Sequence, residues 1–245
     1  MFNDMLTIIR KDIKEVLTSR GNSIRSGFMY LGIVVAVMGI FMPLQSGRAW
    51  LTEPLLPLVW SWFPVFLVIS VVTDSFAGER ERNTLETLLA SRLSDRAILF
   101  GKIGAAVLYG WSISFVSNLV AVVTVNISNP GRFQFYTPWL YLVLLLVPLL
   151  VGLLMSSIGV LVSLNAPTAR AAYQKLSLVM LGIWLVPTIL ANVGTEAMKQ
   201  GMGEFLMNLN LTTVGIAAGL IILVLDIVLV WVAMQRFQRS KLILD

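Results

Sequence analysis

Long apolar runs alternate with short polar islands along the whole chain. Six of the runs have the length, about 20 residues, that crosses ~30 Å of hydrocarbon as an α-helix. They cover Ser26–Gln45, Pro54–Phe76, Ala97–Val125, Pro138–Leu164, Leu176–Gly194 and Thr213–Met234. The pattern predicts an all-α, polytopic membrane protein with six transmembrane helices, forming a single domain over residues 1–245.

Ahead of the first run, residues 1–25 are charged throughout, which argues against a cleavable leader. Here Leu6, Ile9, Ile13, Val16 and Leu17 recur at helical spacing, while Arg10, Lys11, Lys14 and Glu15 take the other face. This predicts an amphipathic helix lying on the membrane surface and ending near Gly21-Asn22.

Composition narrows the class. The 245 residues are 57% hydrophobic and only 13% charged, with a mean hydropathy of +0.85. So few charges fit a chain that faces lipid. The sequence has no His and no Cys. That excludes thiol catalysis, disulfides, an imidazole base and His or Cys ligation of a metal, and it argues against an enzyme.

The net charge of +5 is explained by where the charges lie. Of the 18 Lys and Arg, all but Arg48, Arg132 and Lys199 fall in alternate segments on one side of the six runs. Cytoplasmic loops collect such residues, so both termini are expected in the cytoplasm. Topology accounts for the basic balance, and no nucleic-acid partner is expected. Aromatic residues agree, with Trp50, Trp60, Trp62, Tyr136, Trp139 and Tyr141 near the outer interface and Tyr30, Tyr173 and Trp231 near the inner one.

The most informative polar island follows the second run. It reads Phe76-Ala77-Gly78-Glu79-Arg80-Glu81-Arg82-Asn83-Thr84-Leu85-Glu86-Thr87-Leu88-Leu89. Charge is costly inside a bilayer, so this cluster marks where the chain leaves it. Gly78 permits a sharp exit. Asn83, with Glu86 three residues on, has the form of a helix N-cap with a capping-box partner. A helix from Thr84 to about Ser91 would present Leu85, Leu88 and Leu89 on one side, a ridge suited to a groove on another protein. An ordinary salt-bridged loop is the plainer reading. Ser94 is placed to cap the third span, with Arg96 and Lys102 at its inner end.

The order of this island resembles the segment after the second span of type-2 ABC transporter permeases, the membrane subunits of ATP-driven exporters. Glu79, Arg80, Glu81, Thr84, Leu85, Glu86, Leu88 and Leu89 match the family pattern, and Gly101-Lys102 matches its Gly-Lys at the third span. Asn83 stands where Gly is usual; Asn tolerates the same left-handed backbone. The resemblance implies that residues 78–96 form a coupling segment. Its contact residues would be Glu79, Arg80, Glu81, Arg82, Thr84, Leu85, Glu86, Leu88 and Leu89, docked on an ABC ATP-binding subunit. It further implies a second permease copy or paralogue, a plasma-membrane location and an N-terminal elbow helix in residues 1–25. No phosphate-cradling Gly-x-x-x-x-Gly-Lys-[Ser/Thr] occurs, so ATP and Mg would belong to the partner and no cofactor is expected in this chain.

Two further features stand out. Asp226 lies about eight residues from the inner end of the sixth run, roughly 12 Å deep. An acid there is a candidate for binding a cationic substrate or a proton. Ser156, Ser157 and Trp184 fall at its level, so a hydrogen-bonded carboxyl that joins helices is the alternative. Residues 195–210 place Met198, Met202, Phe205, Leu206 and Leu209 at helical spacing. They read as an outer amphipathic segment, re-entrant by resemblance or resting on lipid. Pro64, Pro148 and Pro187 interrupt their runs, as hinges or as simple curvature.

Three functional readings remain: an exporter permease, a non-transporting scaffold driven by an ABC ATPase, and a self-sufficient channel or secondary transporter using Asp226. Nothing in the apolar lining selects among a lipid-like, drug, glycan or ion substrate.

Overall fold

The computed structural model describes residues 1–19, 31–60, 63–193 and 211–237. Helix α1 is Phe2–Ser19, α2 is Leu31–Ser46, α3 is Ala49–Thr52, α4 is Leu55–Glu81 and α5 is Leu85–Ala90. Helix α6 is Asp95–Ser128, α7 is Pro138–Asn165, α8 is Ala169–Val193 and α9 is Leu211–Arg236. Among the described residues every regular element is helical.

Among the described residues, four segments are long and apolar enough to cross a membrane: Leu55–Glu81, Asp95–Ser128, Pro138–Asn165 and Gly215–Arg236. The expected first span is represented by the shorter apolar helix Leu31–Ser46, because its start lies outside the described residues. The expected fifth span lies in α8 except for Gly194, which is outside the described residues. The expected outer segment 195–210 also lies outside the described residues.

Helices α4, α6 and α7 form the centre, with α2 and α1 against α6, and α9 against α7. Glycines set how closely these helices meet. A Cβ on Gly110 would lie 2.4 Å from Val68, and one on Gly159 would lie 2.2 Å from Val72, so α6 and α7 each approach α4 through a missing side chain. Small residues bring helices into van der Waals contact where lipid offers no hydrophobic drive. The main core runs through Val68, Val72, Phe76, Ile98, Ala106, Met155 and Val160. A second cluster around Trp50, Leu51, Tyr136 and Leu144 closes the opposite end.

Among the described residues, two π-helical turns interrupt this regularity, at Val37–Phe41 and Asp74–Gly78. Such turns free backbone groups that need new partners. In the second, the Ser163 hydroxyl of α7 accepts from the amides of Phe76 (3.3 Å) and Ala77 (2.9 Å) and donates to the Thr73 carbonyl (3.0 Å). In the first, Thr124 of α6 donates to the Gly39 carbonyl at 2.8 Å. Pro148 sits inside α7, which continues on both sides of it.

A candidate coupling site at the charged end of the bundle

Helix α4 does not stop at Phe76. It runs through its π-turn to Glu81, so Glu79, Arg80 and Glu81 sit on the helix itself. Gly78 is helical rather than a sharp exit. What it provides is room, since a Cβ there would lie 1.9 Å from an Asp74 carboxylate oxygen.

The turn belongs to Asn83, whose φ of 57° is left-handed. The Thr84 amide donates to the Glu79 carbonyl (2.9 Å) and the Asn83 amide to that of Arg80 (3.0 Å). This is a Schellman closure with Asn83 in the position usually taken by Gly. Asn83 therefore ends α4 and does not cap α5, correcting the capping-box expectation. The α5 N-cap is Thr84, and its side chain makes no capping bond. Its hydroxyl instead turns back to the Glu79 carboxylate.

Glu79 is the centre of the site, with a side chain only 4% exposed. Lys11 of α1 reaches it at 2.7 Å and Lys102 of α6 at 3.5 Å. Lys102, 2% exposed, also lies 3.6 Å from Asp12 and 5.3 Å from the centre of the Phe76 ring. Burial disfavours the Lys11 ammonium, but the hydrogen bond and charge of Glu79 outweigh it and raise the Lys11 pKa. Carboxylate oxygens of Asp12, Glu15 and Glu79 gather within 4.8 Å of one another. The ammonium groups of Lys11 and Lys102 bridge them, which lets three acids stand this close.

Around this centre the remaining charges tie in the other helices. Arg82 pairs with Glu15 at 3.0 Å and with Asp74 at 3.2 Å. Arg80 donates to the carbonyls of Leu164 (2.9 Å) and Ala166 (2.8 Å), at the C-terminal end of α7. A cation there also meets the negative end of the helix dipole. Glu81 accepts from the Ala169 amide at 3.3 Å, at the start of α8. Phe76 stacks obliquely on Phe237 beyond α9, with centroids 5.2 Å apart. One short stretch thus touches α1, α6, α7, α8 and the end of α9.

The leucine ridge is not exposed. Leu85 and Leu89 are buried at 6% and 2%, and Leu88 packs partly against the same core. The exposed face of α5 consists of Glu86, Thr87 and Ala90, framed by Arg82 and Arg92. Hydrophobic spacing found the helix but assigned its apolar side to a partner when it serves the chain's own core.

In α1, Ile8 and Ile9 are buried against α6, where a Cβ on Gly101 would meet Ile8 at 2.8 Å. The Gly101-Lys102 pair therefore has two local uses, close approach by the first residue and a buried charge by the second. Periodicity had left out Ile8 and Asp12, the residues that turn this face from a lipid anchor into a protein contact.

The family described as ABC-2 family transporter protein matches residues 6–242. The chain belongs to the ABC-2 transporter family. No curated protein matches it. Membership in this ABC-2 family makes the chain a transmembrane transport component, the permease part of an ABC transporter.

Asp226 remains apart from the charged site. It is 2% exposed on α9, and neither carboxylate oxygen has a hydrogen-bond partner among the described residues. Of the polar layer expected around it, the two described side chains bond elsewhere: Ser156 donates to Ile103 at 3.5 Å and Ser157 to Leu153 at 2.9 Å. The Trp184 side chain is not among those described.

Proposed function

We propose that this ABC-2 permease is the membrane subunit of an ATP-driven exporter and that residues 78–96 receive the stroke of a separate ATP-binding subunit. The six expected spans would place both termini in the cytoplasm of a plasma-membrane protein. A second copy or a paralogue would complete the pathway. The observation that carries the reading is the Glu79 hub. Its bonds reach Lys11 of α1 and Lys102 of α6, and the adjacent Arg80 and Glu81 hold the ends of α7 and α8. A push on α5 therefore bears on a bonded cluster rather than on a free loop. The surface that meets the partner is Glu86, Thr87 and Ala90, with Arg82 and Arg92 at its edges.

Co-purification with the ATP-binding subunit tests this assignment. Glu86→Arg combined with Thr87→Arg adds charge on an exposed face, so membrane insertion and thermal stability should hold. Capture of the ATPase and its stimulation should both fall about tenfold, the size of about 1.4 kcal/mol lost at an interface. Unchanged capture and stimulation would remove α5 from the interface. Leu89→Ala serves as the contrast: it should lower stability by about 2–4 kcal/mol through its cavity.

A second reading has one observation behind it. The unpartnered Asp226 carboxyl suits a transporter that carries its own proton or cation site.

A further inference from the structure

A cleft of about 470 Å³ opens beside the coupling site, between α1, the inner end of α4 and the start of α8. Its walls include Val16, Val71 and Tyr173, and its charged groups are Asp74, Arg82 and Arg170. Arg82 is already held by Asp74 and Glu15. Arg170 is exposed and makes no ion pair or hydrogen bond among the described residues. The cleft thus offers one uncommitted guanidinium between apolar walls and an aromatic ring.

The surface beyond the cleft has a matching gradient. Arg170, Gln174, Leu178, Leu181 and Leu185 follow one another along α8 at steps of three and four residues, and all are exposed. Residues so spaced share a face. The face is cationic and polar at its cleft end and apolar beyond it. From Arg170 to Leu185 it extends roughly 22 Å, at about 1.5 Å per residue. That spans a head-group layer and one leaflet of hydrocarbon.

We propose that the cleft binds the head group of an anionic phospholipid, with Arg170 on its phosphate and its acyl chains along Leu178, Leu181 and Leu185. Guanidinium matches phosphate in charge and in paired donors. A soluble anion would use Arg170 but would gain nothing from the apolar stripe. The placement in the inner leaflet rests on the cytoplasmic orientation proposed above. Because the lipid would stand beside Arg82 and Asp74, its occupancy adds a membrane input to the coupling cluster.

The test is lipid retention by the full protein, with whatever subunits accompany it. Samples taken from nanodiscs of phosphatidylcholine, alone or mixed with phosphatidylglycerol, are compared by native mass spectrometry. The wild type should keep phosphatidylglycerol in preference to phosphatidylcholine. Arg170→Gln should lower that retention about tenfold, as expected for one lost charge-assisted contact. Arg96→Gln makes the same charge change at the charged end of α6, a helix that does not line the cleft, and should leave retention intact. Equal losses in the two variants would reduce the effect to general surface charge and overturn the site. So would unchanged retention in Arg170→Gln, or complete displacement of the lipid by inorganic phosphate. Both substituted residues are exposed, so folding is expected to survive in each. Retention is read without ATP hydrolysis or capture of the ATPase, so its failure would leave the coupling assignment standing.

Discussion

Lys102 and Glu79 stand 3.5 Å apart with side chains 2% and 4% exposed, joining α6 and α4 at their charged end. Neither charge stands alone, since Lys11 shares Glu79 and Asp12 shares Lys102. A buried pair of this kind is costly to break from one side, because the remaining charge keeps its desolvation penalty.

Lys102→Met should therefore destabilise the protein by about 3 kcal/mol, and Glu79→Leu by a similar amount. The double variant Lys102→Met with Glu79→Leu should recover much of the loss, because apolar groups replace the whole pair. Thermal unfolding in nanodiscs measures all three. Additive losses in the double variant would show that the two residues are not energetically linked.

Asn83 supports a second prediction. Its backbone is left-handed, a conformation that Gly adopts freely and β-branched residues resist. Asn83→Gly should leave the unfolding midpoint within ~0.5 kcal/mol of wild type. Asn83→Val should cost about 1–2 kcal/mol and loosen the Schellman closure that positions Thr84. Equal stability of the two variants would mean that the turn does not hold this backbone in the membrane.

At Asp226, stability and transport should separate. A buried carboxyl without a hydrogen-bond partner is a burden that Leu removes at similar volume. Asp226→Leu should therefore raise the unfolding midpoint, equivalent to about 1 kcal/mol or more. Loss of transport in that stabler protein would assign Asp226 a functional charge or proton. A drop in stability would show that its oxygens are satisfied in the membrane.

The candidate coupling segment shows how far periodicity reaches. The short helix after Asn83 was legible, since Leu85, Leu88 and Leu89 recur at helical spacing. The side they face was not. An apolar side chain that docks on a partner and one that docks on its own bundle have the same spacing and the same chemistry. The role of Asn83 was misread for a related reason. Asn favours both helix N-caps and left-handed C′ positions, and only the backbone bonds from Thr84 and Asn83 to Glu79 and Arg80 decide between them.

By itself, the sequence determined what depends on one helix at a time. Apolar length marked the candidate spans, the distribution of Lys and Arg gave their expected sidedness, and the mixed-charge island located the candidate coupling segment. Tertiary structure decided which groups meet. It buried Lys102 against Glu79, sent Arg80 to the end of α7, gave Ser163 the freed groups of the π-turn and left Asp226 unpartnered. The physical reason is that hydrocarbon and protein interior are similarly apolar, so a spanning helix need not show in its pattern which face meets lipid and which meets protein. Long charged side chains compound this, because their partners come from distant segments that only packing brings within hydrogen-bond range.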